Sequence, residues 1–210
     1  MPKRKNRPDA RARILKTAAK VFAQKGFSGA RVDEIAKAAA VPKSLIYYHF
    51  NSKDAILEQL VVDCLEKYND VLQKEVAGYD AKDTEQLLQR IRTVYWRFLE
   101  AHEDVIRVII MEALKKESPR ANAAFKFTQL FIETEKEFLE NRDDRMLTDF
   151  DSHLVTEFFT SQIPVVMFFC LRQTWSEVFH TAPETLSEQF INAYDETYGA
   201  YQRSRFNREP

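Results

Sequence analysis

Hydrogen-bonding side chains are concentrated in the stretch VPKSLIYYHFNSKD, residues 41–54. Five polar or aromatic side chains fall within about two helical turns there: Lys43, Ser44, Tyr47, Tyr48 and His49. An ammonium group at the start of such a helix can donate to the O6 or N7 atom of guanine, and a serine hydroxyl group can bind a base edge or a phosphate. The neighbouring Leu45 offers an apolar contact to the methyl group of thymine. The spacing therefore indicates a helix that reads base edges.

A helical wheel separates this stretch into two sides. Ile46 and Phe50 fall on one side and are expected to pack on a core, whereas the lysine, serine and tyrosine side chains fall on the other side. Two other interpretations stay open. Tyr47 and His49 fit half-buried core groups whose polar atoms are satisfied locally. Lys43, Tyr48 and Lys53 fit an ordinary solvent-exposed face.

The charge distribution along the chain favours the nucleic-acid interpretation. Residues 1–53 contain 13 Lys and Arg against 3 Asp and Glu, whereas residues 54–210 contain 18 against 29. The formal net charge of -1 therefore hides a basic N-terminal segment and an acidic remainder. Because such segregation suggests that the basic part faces a polyanion, we expect a flexible basic arm over residues 1–10 and an ordered basic domain after it.

Three short helices must position the polar cluster. Apolar spacing predicts a first helix through Ile14 and Phe22 that stops at KGF, where Gly26 can take a left-handed conformation. A second helix is expected from about Val32 to Ala39, and Pro42 suits the start of a third. A fourth helix should begin near Lys53 after a capping Asn or Ser. This order of short helices is typical of a helix-turn-helix.

The stretch KGFSGARVDEIAKAAAVPKSLIYYHFNSKDAIL resembles the N-terminal DNA-binding domain of the TetR family of transcriptional regulators. It has a Gly-aromatic turn, an Ile-Ala pair, a small-small-Val turn and an Ile-Tyr-x-His-Phe helix followed by Ser-Lys. The resemblance covers residues 11–60. It implies that residues 61–210 form a larger helical domain for effector binding and dimerisation. It also implies that Tyr47, Tyr48, His49 and Lys53 contact the DNA backbone or flanking bases.

Two positions depart from the family pattern. The chain has Ala30 and Arg31 where the family has a capping Thr or Ser, and the loss of such a cap costs about 1 kcal/mol. Arg31 offers a phosphate contact in its place. The turn before the third helix has Ala40 where the family has Gly, so a positive φ there would be strained, and a turn of another shape is the alternative.

Beyond residue 60 the composition predicts helices only. The chain has 4 Gly and 7 Pro, too few for the turns of an all-β protein, so we predict an all-α fold. Cys64 and Cys170 match no metal or disulfide motif, which favours a cytoplasmic location. The longest apolar run, 163–171, is shorter than the roughly 20 residues that span a bilayer, so no membrane association is expected.

The resemblance implies two uses for the apolar groups of residues 61–210. Helices within 151–203 would pair with their copies in a homodimer, which would place two reading helices roughly 34 Å apart and favour a palindromic operator. Other helices would enclose a small, largely apolar effector that releases a repressor from DNA. Candidate ligand contacts are Tyr95, Phe98, Met111, Phe127, Phe131 and Phe168. Candidate polar contacts are Arg107, Glu112, Gln129, Gln162 and Arg172.

Enzymatic function is disfavoured, because no phosphate loop or nucleophile motif is recognisable and the four histidines are scattered. His153 and Glu157, one turn apart, could share a metal, but such pairs are common by chance and we expect neither a metal nor a cofactor. The remaining alternative is a helical adaptor that uses the helix-turn-helix to bind protein. An adaptor would not explain the basic segment.

Overall fold

The computed structural model describes residues 10–76, 84–115, 125–126, 129, 133, 136 and 150–206. Every element assigned within these ranges is helical, which confirms the predicted all-α class. The first six helices are α1 (Ala10–Gly29), α2 (Val32–Ala39), α3 (Lys43–His49), α4 (Lys53–Val76), α5 (Thr84–Ala101) and α6 (Glu103–Ala113). They are followed by α7 (Phe150–Thr156), the π-helical segment π1 (Glu157–Gln162), α8 (Ile163–Phe179), α9 (Pro183–Tyr194), the π-helical segment π2 (Asp195–Gly199) and α10 (Ala200–Phe206). Residues 1–9 of the predicted arm lie outside the described residues.

The chain divides into two compact units. The N-terminal unit comprises Met1–Asp70 and His102–Phe127, and the C-terminal unit comprises Val71–Ala101 and Thr128–Pro210. The predicted DNA-binding segment, 11–60, falls within the N-terminal unit. That unit also includes α6, which packs on α1 although it lies far along the chain.

The core of the N-terminal unit is built from the apolar faces of its short helices. Ile14 and Phe22 of α1, Ile35 of α2 and Ile46 of α3 are all fully or almost fully buried, and Val108 and Ile109 of α6 complete the cluster. Neither α2 nor α3 would be stable alone, because isolated helices below about 12 residues are marginal in water. Their stability therefore comes from this shared core.

Two bends in the backbone set the directions of these helices. Gly26 has φ 70° and ψ 158°, a combination that only glycine adopts readily, and it kinks α1 at the predicted KGF position. Ala40, which ends α2, has φ 52° and ψ 50°. The Val41 N–H group donates to Ala36 O at 3.0 Å, which closes the turn. The turn thus keeps the left-handed shape for which the family uses glycine, with an alanine that bears the strain.

The start of α4 agrees with the predicted cap. Ser52 Oγ accepts a hydrogen bond from the Ala55 N–H group at 3.0 Å, so one of the free donors of the first turn is satisfied. Cys64 on α4 is buried, and burial raises the pKa of its thiol to about 12. The thiol therefore stays protonated at neutral pH and acts as a small apolar group.

The C-terminal unit is held together by an aromatic cluster. The Trp96 ring of α5 lies 4.7 Å from the Phe169 ring and 5.3 Å from the Phe168 ring, centroid to centroid. The Phe168 ring stacks on Phe190 of α9 at 4.3 Å. Contacts of this kind add to the hydrophobic free energy of burial. They fix α5, α8 and α9 against one another.

The continuous helical stretch Asp151–Phe179 is long and apolar enough to cross a membrane by length and composition alone, with a mean hydropathy of 1.6 over its most apolar window. The core helix of a helical bundle meets the same criterion. This stretch buries Glu157, Ser161 and Gln162 within the C-terminal unit. Packing on α5 and α9 covers part of its apolar surface, and 39% of that window is buried.

The strain at Ala40 gives a stability prediction. We expect Ala40→Gly to raise the free energy of unfolding by about 1 kcal/mol, because glycine reaches the left-handed region without a Cβ clash. Thermal denaturation followed by circular dichroism would measure the change. Ala38→Gly is the matched control, since Ala38 is an exposed residue inside α2, and there the same substitution should cost about 1 kcal/mol. A loss of stability in both variants would contradict the prediction.

Candidate nucleic-acid interface and ligand cavity

Helix α3 separates its side chains as the helical wheel predicted. Ile46 and Phe50 are buried in the N-terminal core, whereas Tyr48 is 82% exposed and Tyr47 48% exposed. Lys43 and Ser44 are exposed at the N-terminal end of the helix, and Leu45 is half-buried. The exposed face therefore carries an ammonium group, a serine hydroxyl group and two phenol groups within one short helix.

Lys43 is ion-paired with Asp33 of the neighbouring helix α2. The distance from Lys43 Nζ to Asp33 Oδ1 is 2.9 Å, and both side chains are exposed. The hydrogen bond that Lys43 donates to Asp33 and the negative charge of that carboxylate raise the pKa of Lys43, so the ammonium group is charged at neutral pH. An exposed pair of this kind contributes little to stability. Any other acceptor for the Lys43 ammonium group must therefore compete with this carboxylate.

The start of α2 is capped from inside the helix rather than by the missing Thr or Ser. Glu34 Oε2 accepts a hydrogen bond from the Arg31 N–H group at 3.1 Å, and Glu34 Oε1 lies 2.6 Å from Lys25 Nζ. Lys25, together with the Arg31 N–H group, lowers the pKa of the Glu34 carboxyl group. The Arg31 side chain takes no part in this cap and is exposed beside the N-terminus of α2.

Lys53 is half-buried, and its side chain contacts the backbone between the kink of α1 and the start of α2. Its Nζ atom donates to Phe27 O at 2.7 Å and to Ala30 O at 3.0 Å, and it lies 4.4 Å from the centroid of the Phe27 ring. An ammonium group has three N–H donors. Two of them hold the segment between α1 and α2, so one remains for a phosphate.

His49, at the end of α3, is half-buried, as the core interpretation required, but its ring also contacts exposed groups. The ring lies edge-on to Tyr48 at 5.2 Å and 6.3 Å from Phe50. It thus joins the buried Phe50 to the exposed Tyr48. This position is compatible with both interpretations of His49.

The C-terminal unit contains a cavity of about 500 Å³ between α5, π1, α8, α9 and π2. This volume lies within the usual range of small-molecule sites. Its apolar lining includes Tyr95 and Trp96 of α5, Val165 of α8, and Phe190 and Ile191 of α9. Its polar lining includes Arg92, Arg97, Glu157, Ser161, Gln162 and Tyr194.

Buried polar groups lie along one side of this cavity. Ser161 Oγ and the Tyr194 hydroxyl oxygen are 2.7 Å apart. Gln202 Nε2 donates to Glu157 Oε2 at 3.5 Å and also to the Tyr198 hydroxyl group. Burial strongly raises the pKa of Tyr194, against a lowering by the Ser161 hydrogen bond, so its hydroxyl group keeps its proton.

The candidate ligand residues chosen from the sequence are distributed over both units. Tyr95 lines the cavity, Phe168 packs behind it on Phe190, and Phe98 is buried. Met111 belongs to the N-terminal unit, where its Cε atom lies 3.7 Å from the position of a Cβ on Gly26. Phe127 and Phe131 lie outside the described residues.

The candidate polar contacts are similarly distributed. Gln162 lines the cavity. Arg107 pairs with Glu103 and Glu112 with Lys115 in the N-terminal unit, whereas Arg172 pairs with Glu100 in the C-terminal unit, and Gln129 is exposed. None of these four is in the cavity lining among the described residues.

Sequence reasoning missed most of the polar lining. Trp96, Ser161 and Tyr194 carry no motif and lie far apart in the sequence, with Ser161 inside π1 and Tyr194 immediately before π2. The His153–Glu157 pair, considered as a possible metal site, is almost completely buried at 1% and 2% exposure. His153 Nδ1 lies 3.3 Å from the Tyr201 hydroxyl oxygen. Among the described residues no three potential ligands converge on a metal site.

Residues 14–60 match the family model of bacterial regulatory proteins of the tetR family. The HTH-type transcriptional repressor NicS of Pseudomonas putida is 30% identical over 104 residues, which are 50% of this chain and 48% of NicS. The probable HTH-type transcriptional regulator YttP of Bacillus subtilis is 35% identical over 101 residues, 48% of each chain. This chain thus spans about half the length of the curated relatives it matches.

Solved structures extend the similarity of fold to most of the chain. The fatty acid degradation regulator FadR from Bacillus halodurans superposes with a TM-score of 0.68 at 19% identity, over 90% of this chain and 96% of that chain. FadR from Bacillus subtilis in complex with stearoyl-CoA gives 0.63 at 17% identity, over 87% and 96%. At such identities the likeness concerns the fold alone.

The position of Lys53 gives a second stability prediction. We expect Lys53→Met to lower the free energy of unfolding by about 1–3 kcal/mol, because two charge-assisted hydrogen bonds to backbone carbonyl groups are lost. Chemical denaturation would measure the difference. Lys20→Met is the control, since Lys20 is exposed on α1, and it should leave stability nearly unchanged. Equal effects of the two substitutions would show that the Lys53 contacts contribute nothing.

Proposed function

Because the chain belongs to the TetR family of bacterial regulators, we propose that it is a sequence-specific DNA-binding transcriptional regulator rather than an enzyme. It acts as a repressor that a small, largely apolar effector releases from a palindromic operator. The observation that carries the proposal is the geometry of α3. Its apolar side is locked into a core with α1 and α2, and its donor-bearing side is exposed on a basic domain.

The exposed face of α3 divides into two kinds of contact in this proposal. Lys43, Ser44 and Leu45 at its N-terminal end reach base edges in the major groove. The remaining candidates contact the backbone and fix the register of the domain on DNA: Arg31, Tyr47, Tyr48, His49 and Lys53. Lys53 contributes through its third N–H donor and, above all, by holding the helices in place.

The proposed homodimer forms through residues 151–203. Its support is a row of exposed apolar side chains at positions i, i+4, i+7 and i+8 of α8: Leu171, Trp175, Val178 and Phe179. The Trp175 and Phe179 rings lie 4.4 Å apart, so they form a continuous apolar surface. Exposed apolar surfaces of this kind mark interaction sites in proteins that remain in solution. A twofold dimer would present two copies of α3 to successive major grooves.

The proposed effector site is the cavity of the C-terminal unit. It has aromatic walls and a small number of buried polar groups, as small-molecule sites do. The FadR structure in complex with stearoyl-CoA is an example of a ligand bound by a protein of this fold. The effector releases DNA only to the extent that it binds the two conformations of the dimer with different affinity. The regulator works in the cytoplasm, where its DNA is.

Selection of genomic fragments by the purified protein tests this function. At physiological salt we expect enrichment of one imperfect palindrome, because each protomer of a twofold dimer reads one half-site. The affinity of the enriched site should fall steeply as the salt concentration rises, since phosphate contacts release counterions. The selection should be repeated after denaturation and refolding, which removes any effector retained from the cell.

Two outcomes would contradict the proposal. No enrichment after refolding would mean that α3 does not read sequence. Enrichment of sites without twofold symmetry would contradict the dimer. Binding to a protein partner that is insensitive to salt would favour the helical adaptor instead.

Lys43 gives a prediction about specificity. We expect Lys43→Ala to relax the preference at one base pair in each half-site by about 1–3 kcal/mol, because a direct contact to a base edge is lost. Competition binding with operators substituted at single positions would measure the loss. Lys37→Ala, an exposed lysine of α2, is the matched control and should weaken all operators equally or not at all.

The Lys43–Asp33 pair provides a further check on that assignment. Asp33→Asn frees the Lys43 ammonium group and removes a negative charge near DNA. It should therefore raise affinity while the base preference is retained. If Lys43→Ala and Lys37→Ala change all operators alike, Lys43 does not read a base.

A further inference from the structure

We propose that the cavity of the C-terminal unit binds a small organic anion with a planar apolar body, and that Arg92, Tyr194 and Ser161 hold the anionic group. This inference rests on the proposed function, since it names the chemical class of the effector. It concerns the binding event itself, however, and is tested without DNA.

The charges that line the cavity favour an anion. Of the two acidic groups, Asp195 is paired with Arg203 at 3.1 Å, and Glu157 accepts a hydrogen bond from Gln202. Of the two basic groups, neither Arg92 nor Arg97 forms an ion pair with the part of the chain that the structure describes. Gln202 is neutral and does not balance the charge of Glu157, so two guanidinium groups face one remaining carboxylate and the lining keeps an excess of positive charge. A guanidinium group is the side chain best shaped for a carboxylate, because it offers parallel N–H donors.

Arg92 lines the same cavity as two hydroxyl groups that can add donors, those of Ser161 and Tyr194. Burial raises the pKa of Tyr194 and keeps its hydroxyl group protonated. Because Ser161 Oγ and the Tyr194 hydroxyl oxygen share one hydrogen bond at 2.7 Å, one of their two protons remains for a ligand. The lining therefore supplies both a cation and an O–H donor.

The two π-helical segments supply the polar side of the site. Ser161 belongs to π1, and Tyr194 immediately precedes π2. Insertions of this kind inside α-helices are rare and occur frequently at functional sites. Here both of them border the same cavity, at Glu157, Ser161 and Gln162 from π1 and at Asp195 from π2. This coincidence is independent of the charge argument and points to the same place.

The aromatic part of the cavity lining suits a flat apolar group. The Trp96 and Phe190 rings, both in the lining, have centroids 5.9 Å apart and are inclined by 34°. Phe168 supports the Phe190 ring from behind at 4.3 Å. Rings held in this way offer fixed faces for offset stacking. The volume of about 500 Å³ leaves room for a fused aromatic ring system with a short side group.

The carboxyl group of Glu157 would favour a cationic ligand instead of an anionic one. It is 2% exposed, and its charge raises the pKa of Tyr194, so it is near the same phenol group. Its Oε2 atom, however, is turned to Gln202 of α10. The experiment must therefore separate an anionic ligand at Arg92 from a cationic ligand at Glu157.

Calorimetric titration with three compounds of similar shape but different charge distinguishes an anionic ligand from a cationic one. The probes are naphthoate, its neutral amide naphthamide and the cation naphthylmethylammonium. We expect naphthoate to bind roughly tenfold or more tightly than naphthamide, because a charge-assisted hydrogen bond is gained. The ammonium compound should bind least. Tighter binding of the ammonium compound, equal binding of acid and amide, or no binding of any of the three would overturn the proposal.

Single substitutions test which residues hold the anionic group of the ligand. Arg92→Gln should remove the advantage of naphthoate over naphthamide, and Tyr194→Phe should reduce it, whereas Glu157→Gln should leave it intact or increase it. Arg90→Gln is the matched control, because Arg90 lies on the same helix but pairs with Glu75 outside the lining. Arg92→Lys keeps the charge, so it should retain part of the advantage if Arg92→Gln proves poorly folded. Loss of naphthoate binding in Glu157→Gln but not in Arg92→Gln would also overturn the proposal.

Failure of this inference is distinguishable from failure of the proposed function. The same titrations repeated with operator DNA measure release. If naphthoate binds as expected but operator affinity is unchanged, the anion site stands and this ligand class is not the releasing effector. If operator binding is specific but the probes fail as described above, the regulator stands and the anion site does not.

Discussion

The Lys53 ammonium group joins three segments that would otherwise be free to separate. It links the start of α4 to the carbonyl oxygens of Phe27, where α1 ends, and Ala30, where α2 is about to begin, and it rests on the Phe27 ring. The directions of α1 and α2 are thereby fixed, and α3 follows because Ile46 packs into the core they form. The orientation of the exposed face of α3 thus depends on these part-buried contacts of Lys53 together with the shared core.

The same contact shows that basic residues in this domain have different tasks. Of the lysines in residues 1–53, Lys53 is internal, Lys25 is paired with Glu34 at the start of α2, and Lys43 is paired with Asp33. The two acidic residues of α2, Asp33 and Glu34, thus each form an ion pair with one particular lysine. In the proposed function, the excess of positive charge would attract DNA from a distance. The pairs would then determine which ammonium groups change partners on contact, which would favour specific recognition over nonspecific binding.

Sequence reasoning succeeded where the relevant forces are local. The kink at Gly26, the cap by Ser52, the start of α4 at Lys53 and the inward side of α3 all follow from neighbours in the chain. It failed where distant residues meet. Nothing near Val108 and Ile109 indicates that α6 packs on α1, and nothing in the types of Trp96, Ser161 and Tyr194 indicates a common cavity. The predicted DNA contact of Lys53 came from the family resemblance, whereas its hydrogen bonds to the Phe27 and Ala30 carbonyl groups are with backbone atoms, which no side-chain pattern reveals.

The π-helical segments also have a consequence for how this chain tolerates changes of length. A π-helical turn holds about one residue more than an α-helical turn, so loss of one residue from π1 would restore a regular α-helix while everything after it keeps nearly the same direction. In a regular α-helix such as α8, the same loss would rotate everything after it by about 100°. Ser161 and Trp175 lie on one continuous helical stretch, the first at the cavity and the second on the exposed apolar face. A single-codon deletion in α8 before Trp175 would therefore put the cavity and the exposed apolar face out of phase, whereas one in π1 would remove the wide turn that carries Ser161 and leave that phase almost unchanged.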